Sequence, residues 1–86
     1  MMTTNGDLSE AVRIIDAIRP HLAGKPAPVQ GAALADLLAT WLAGHFADSP
    51  TATTRLRATL LREHMVTVRK LIPENEREIL RRQATH

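Results

Sequence analysis

Four histidines, His21, His45, His64 and His86, are the only side chains of this sequence whose ordinary pKa suits proton exchange near neutral pH. Cysteine is absent, so disulfides and thiolate chemistry are excluded. There is no phosphate-binding glycine loop, H-E-x-x-H pair, EF-hand loop or G-x-S-x-G turn. The glycines fall at helix boundaries or beside neighbours and cannot build a nucleotide cradle. A zinc site needs three or four converging ligands. If the chain reverses near residues 26 and 50, His64 comes level with Asp36, and Asp36 with Asp16. His21 then comes level with Gly31 and Arg69, and His45 with Arg55. The histidines are expected to spread along the helices, with Asp16 and Asp36 turned away from the arc that holds His64. On this reading the chain has no metal site, no cofactor and no enzymatic activity. His64 lies mid-stripe between Leu60 and Val68, and is expected to be a core or interface histidine. A two-fold interface would bring it near its own copy.

The second group able to do chemistry is basic. Arg55, Arg62 and Arg69 recur every seven residues with Lys70 beside them, and Arg77, Arg81 and Arg82 follow. The ridge reads either as a solvated helix face with Glu63 as partial counter-charge, or as a surface that tracks the phosphates of a nucleic acid. Against the second stands the aromatic content. Trp41 and Phe46 are the only aromatics besides the histidines, and both are expected to be buried, which leaves no platform for stacking bases. No helix-turn-helix pattern with base-reading side chains is visible. Charge is nonetheless uneven: three basic residues stand against five acidic ones before Ser49, and eight against four from there on. Such asymmetry suits an anionic partner or acidic-to-basic self-association. Arg57 falls inside the apolar arc of its helix. It is expected either to snorkel out of the end of the bundle or to pair across an oligomer interface, for instance with Asp48.

The elements that must position these groups are all helical. At 100° per residue, Leu8, Ala11, Val12, Ile15, Ile18 and Leu22 share one face, and Asp7 with Glu10 has capping-box spacing. This predicts a helix over about 7–23, with Pro20 kinking its last turn before Gly24. Lys25-Pro26-Ala27-Pro28 is a stiff connector to a second helix over about 28–47. There Leu34, Leu37, Leu38, Trp41, Leu42 and Phe46 cover roughly half the circumference. Ala32, Ala35, Ala39 and Ala43 form a strip beside them. A helix this apolar is expected to be central, and the alanine strip, Trp41 and His64 are the expected self-association surface. Ser49 as N-cap and Pro50 at the first position open a third helix over about 50–72. Its predicted buried face is Leu56, Leu60, Leu61, Met65, Val68, Leu71 and Ile72. Pro73 is expected to break or kink the chain, leaving a short fourth helix over about 74–83 with Ile79 and Leu80 as its contacts. The fold predicted is an all-α antiparallel bundle of three main helices and a short C-terminal one. Residues 1–6 are expected to be disordered and 7–86 to form one helical domain.

Eighty-six residues support only a thin core. Without disulfides or a metal, helix packing and self-association are the remaining sources of stability. A homodimer, open to a further protein partner, is the leading expectation, and nucleic-acid binding is the alternative. The N-terminus lacks a basic region followed by an apolar run, and the Gly31–Ala47 stretch is too short and polar to cross a bilayer. The expected location is the cytoplasm, with no membrane partner.

Overall fold

The computed structural model describes residues 3–85, which form three helices and no strand: α1, Asn5–Leu22; α2, Ala27–Ala43; and α3, Pro50–Ala84. The chain divides into two units, Met1–Leu37 and Leu38–His86, each described by itself.

In the first unit α1 begins earlier than its hydrophobic stripe implies. Its N-cap is Thr4, not Asp7. The Thr4 hydroxyl accepts from the Asp7 amide at 3.0 Å, and the Thr4 amide donates to the Asp7 carboxylate at 3.1 Å. Thr4-x-x-Asp7 thus satisfies two of the amide donors that a helix start leaves free. Glu10, the partner expected for Asp7, has no place in the box. Residues 1 and 2 of the segment expected to be disordered lie outside the described residues. Pro20 sits inside α1, and its missing N–H leaves the Asp16 carbonyl without a helical donor. Both residues are exposed, so the carbonyl is open to hydration. Gly24, at φ 74°, then stops the helix in the left-handed region, where a Cβ would be strained. The Gln30 amide reaches back from α2 to donate to the Leu22 carbonyl at 2.8 Å. The last turn of α1 is therefore tied down by a side chain from the next helix.

In the second unit α2 ends at Ala43, short of the expected residue 47. The amides of Gly44 and His45 still bond back to Thr40 and Leu42, and the chain then leaves the helix. Ser49 caps α3 as expected, its hydroxyl accepting from the Ala52 amide at 3.1 Å, with Pro50 at the helix start. The break expected at Pro73 is absent. The predicted third helix and short fourth helix are one 35-residue α3. The physical reason is exposure. Pro73 and Arg69 both face water, so the Arg69 carbonyl that loses its donor can be hydrated. The flanking Arg, Lys, Leu and Glu residues are strong helix formers. Restoring the missing bond should stabilise α3. Pro73→Ala is expected to raise unfolding stability by roughly 1–3 kcal/mol, read as a higher urea midpoint at unchanged slope. A lowered midpoint would contradict this account of the proline.

Neither unit buries an apolar side chain. Thr53, at 8% exposure, is the only buried residue among those described. The α1 stripe of Leu8, Val12 and Ile15 is exposed, and so are Leu34 and Leu37 of α2. Within neither unit is α2 the enclosed helix that its composition predicts: Leu38 and Leu42 are half-buried, and none of its apolar side chains is fully buried.

Candidate functional site

The corner between α2 and α3 holds the densest set of long-range side-chain interactions. A helix C-terminus presents unpaired carbonyls and the negative end of the helix dipole, so a cation placed there is stabilised. Arg57, two turns into α3, takes that place. Its Nη2 donates to the Ala43 carbonyl at 2.9 Å and its Nε to the His45 carbonyl at 3.1 Å. The same guanidinium lies 4.9 Å from the centre of the Phe46 ring, within range of a cation–π contact. Thr53 closes the other side of the corner, its hydroxyl accepting from the Ala47 amide at 3.0 Å. Arg57 therefore does not run free into water, and within the chain it makes no ion pair among the described residues. Phe46, expected in the core, is 75% exposed and forms one wall of a shallow open pocket with Pro50, Thr53 and Arg57. The apolar surroundings of Arg57 were the one hint of this arrangement in the sequence. Which carbonyls it caps is set by the end of α2 at Ala43, four residues before the end that the hydrophobic pattern predicts.

Trp41 is flanked by two imidazoles. His45 meets it edge-on with ring centres 5.1 Å apart, and the His64 ring lies 5.6 Å away at 43°. The Nδ1 of His45 bonds to the Trp41 carbonyl at 2.6 Å. A carbonyl can only accept, so that nitrogen carries the proton. These contacts correct the expected spacing of the histidines. His64 meets Trp41 instead of coming level with Asp36. Two of the four histidines therefore share one neighbour. His21 is exposed elsewhere, and His86 lies outside the described residues. Among the described residues no group of three His, Asp or Glu side chains stands close enough to hold a metal ion. Trp41 remains 42% exposed, and so does not serve as an enclosed core anchor.

The basic ridge is present on α3 but is not uniform. Arg55, Arg62, Arg69, Lys70 and Arg77 are exposed and make no ion pair among the described residues. Arg81 is withdrawn from the ridge, because its Nε donates to Glu78 at 3.0 Å and Arg82 Nε donates to the same carboxylate at 3.1 Å. Those hydrogen bonds, first from Arg81 and then from Arg82, hold the Glu78 carboxyl at about 2, well below its ordinary 4.5. In return Glu78 raises the Arg81 pKa. A carboxylate with a depressed folded-state pKa stabilises the fold above its unfolded pKa and loses that contribution as pH falls through its folded one. The end of α3 should therefore fray between about pH 4.5 and about pH 2. Circular dichroism at 222 nm should show this loss in the native chain and much less of it in Glu78→Gln. Equal acid profiles would show that the pair contributes nothing.

Ala32, Ala35, Ala39 and Ala43, the alanine strip of α2, are each exposed. A further apolar surface runs along the second half of α3. Val68, Leu71, Ile72, Asn75, Glu76 and Ile79 line an open groove built from α3 alone. It runs through Pro73 without interruption, because α3 is continuous there. Residues 61, 65, 68, 72, 75 and 79 keep a 4-3-4-3-4 spacing across the proline, and that periodicity was available in the sequence. No helix is long and apolar enough to cross a membrane, among the described residues. No protein-family model, curated protein or solved structure matches this chain.

Proposed function

We propose that this protein is a non-enzymatic assembly module of the cytoplasm, in which two copies complete the helical bundle that one copy leaves open. The observation behind this reading is the missing core. In each unit no apolar side chain among the described residues is buried, and Leu8, Val12 and Ile15 of α1, Leu34 and Leu37 of α2, and Leu71, Ile72 and Ile79 of α3 all stand exposed. Well-ended helices with exposed Leu, Ile and Val stripes gain most from a second set of the same helices, and closed two-fold dimers are the commonest such solution. Analytical ultracentrifugation from nanomolar to high micromolar concentration tests this, and a dimer is expected. A folded monomer throughout that range would remove the reading.

A second reading is favoured by one observation: Arg55, Arg62, Arg69, Lys70 and Arg77 stand exposed on one helix without ion-pair partners among the described residues. Such a stripe could bind nucleic acid by charge alone. Titration of duplex and single-stranded oligonucleotides at two salt concentrations tests it. Charge-driven binding is strongest at low ionic strength, so no binding at ~50 mM salt would dismiss it.

A further inference from the structure

The groove on the second half of α3 points to a particular partner and a particular register. Helix α3 is about 52 Å long. Near its start it contacts the end of α2, through Arg57 and then His64. Beyond His64, each of its side-chain hydrogen bonds and ion pairs stays within α3. The apolar stripe nevertheless continues past that point, and Leu71, Ile72 and Ile79 remain exposed. Met65, Val68, Ile72, Asn75 and Ile79 follow the alternating spacing of a two-helix seam. One polar residue, Asn75, interrupts it.

Charge selects the occupant. Along one flank of the seam, Arg62, Arg69 and Glu76 follow one another at seven-residue intervals, so the sign reverses between 69 and 76. When two helices pair antiparallel, this flank faces its own copy. A two-fold axis near residue 73 then sets Arg69 of each chain beside Glu76 of the other, twice per dimer. Parallel pairing would instead set Arg69 against His64, and Glu76 against Leu71, which joins no opposite charges. We propose that a second copy of this chain docks antiparallel along the α3 groove, with Val68 packing beside Ile79 of its partner and Ile72 beside Asn75. The two Asn75 amides fall on either side of the axis. A polar residue inside an apolar seam favours one register over slipped ones. This pairing presupposes the homo-oligomer proposed above and adds its surface, direction and register.

Two experiments on the full chain test it. Glu76→Arg, which sets like charges together at both ends of the pair, is expected to weaken dimerisation at least tenfold, and Arg69→Glu likewise. The double variant, with the charges exchanged, should recover most of the loss. Both positions are exposed, and unchanged far-ultraviolet circular dichroism in the separated chains would exclude misfolding as the cause. The chain has no cysteine of its own, so disulfides report the register directly. Val68→Cys mixed with Ile79→Cys should cross-link on oxidation, while each alone cross-links poorly. A dimer that persists but links each variant to itself would overturn the antiparallel register and leave the homo-oligomer standing. A native chain that is monomeric throughout would overturn both.

Discussion

Replacing Arg57 by alanine is expected to cost about 3 kcal/mol of unfolding free energy, unusually large for a side chain only partly buried. The guanidinium donates to two carbonyls, Ala43 and His45, and covers the face of Phe46. Hydrogen bonds from a charged donor contribute about 1.5–3 kcal/mol in all for such a pair, and an exposed cation–π contact about 0.5–1 kcal/mol. Truncation also leaves the C-terminus of α2 without its cation, where the helix dipole adds a further ~0.5 kcal/mol. Urea denaturation of Arg57→Ala should therefore show a large drop in midpoint. Arg57→Lys keeps the charge but loses the planar fork, and should recover less than half of the loss. Phe46→Leu removes only the ring contact and should cost about 1 kcal/mol or less. If Lys rescued fully, the carbonyl geometry would be incidental and charge alone would matter.

The largest effect on assembly is expected from Ile72→Asp. In an isolated chain this substitution is unremarkable, since Ile72 is 58% exposed. In the proposed dimer the residue lies next to the two-fold axis, so both copies would bury an unpaired carboxylate. Such a burial costs several kcal/mol, and dissociation should become easier by roughly 100-fold or more. Val66→Asp is the matched control. Val66 is 47% exposed, but it lies on the opposite side of the helix from the groove. It should leave the dimer intact. The melting temperature gives an independent measure: a dimer melts higher as protein concentration rises, and Ile72→Asp should abolish that dependence while Val66→Asp retains it. Equal effects of the two substitutions would mean that the groove is not the interface.

What was legible in the sequence follows from how local each feature is. The helical character of every segment came from hydrophobic spacing, and the start of α3 from Ser49-Pro50, because periodicity and capping act within one or two turns. The start of α1 was misplaced by three residues, since Thr4-x-x-Asp7 and Asp7-x-x-Glu10 both have usable spacing and only backbone geometry chooses between them. The groove was legible in part. Val68, Leu71 and Ile72 were assigned to an apolar face, but Ile79 was assigned to a separate helix.

By itself, then, the sequence determined that the chain is all-helical, where its three helices begin to within a few residues, and which faces of them are apolar. Only the tertiary structure decided three further matters. Pro73 does not end α3, because the carbonyl it orphans faces water. Arg57 belongs to the α2 C-terminus, a contact between residues fourteen apart that no local pattern encodes. The apolar faces are nowhere fully buried within either unit, and that result depends on where helices lie in space and not on their composition.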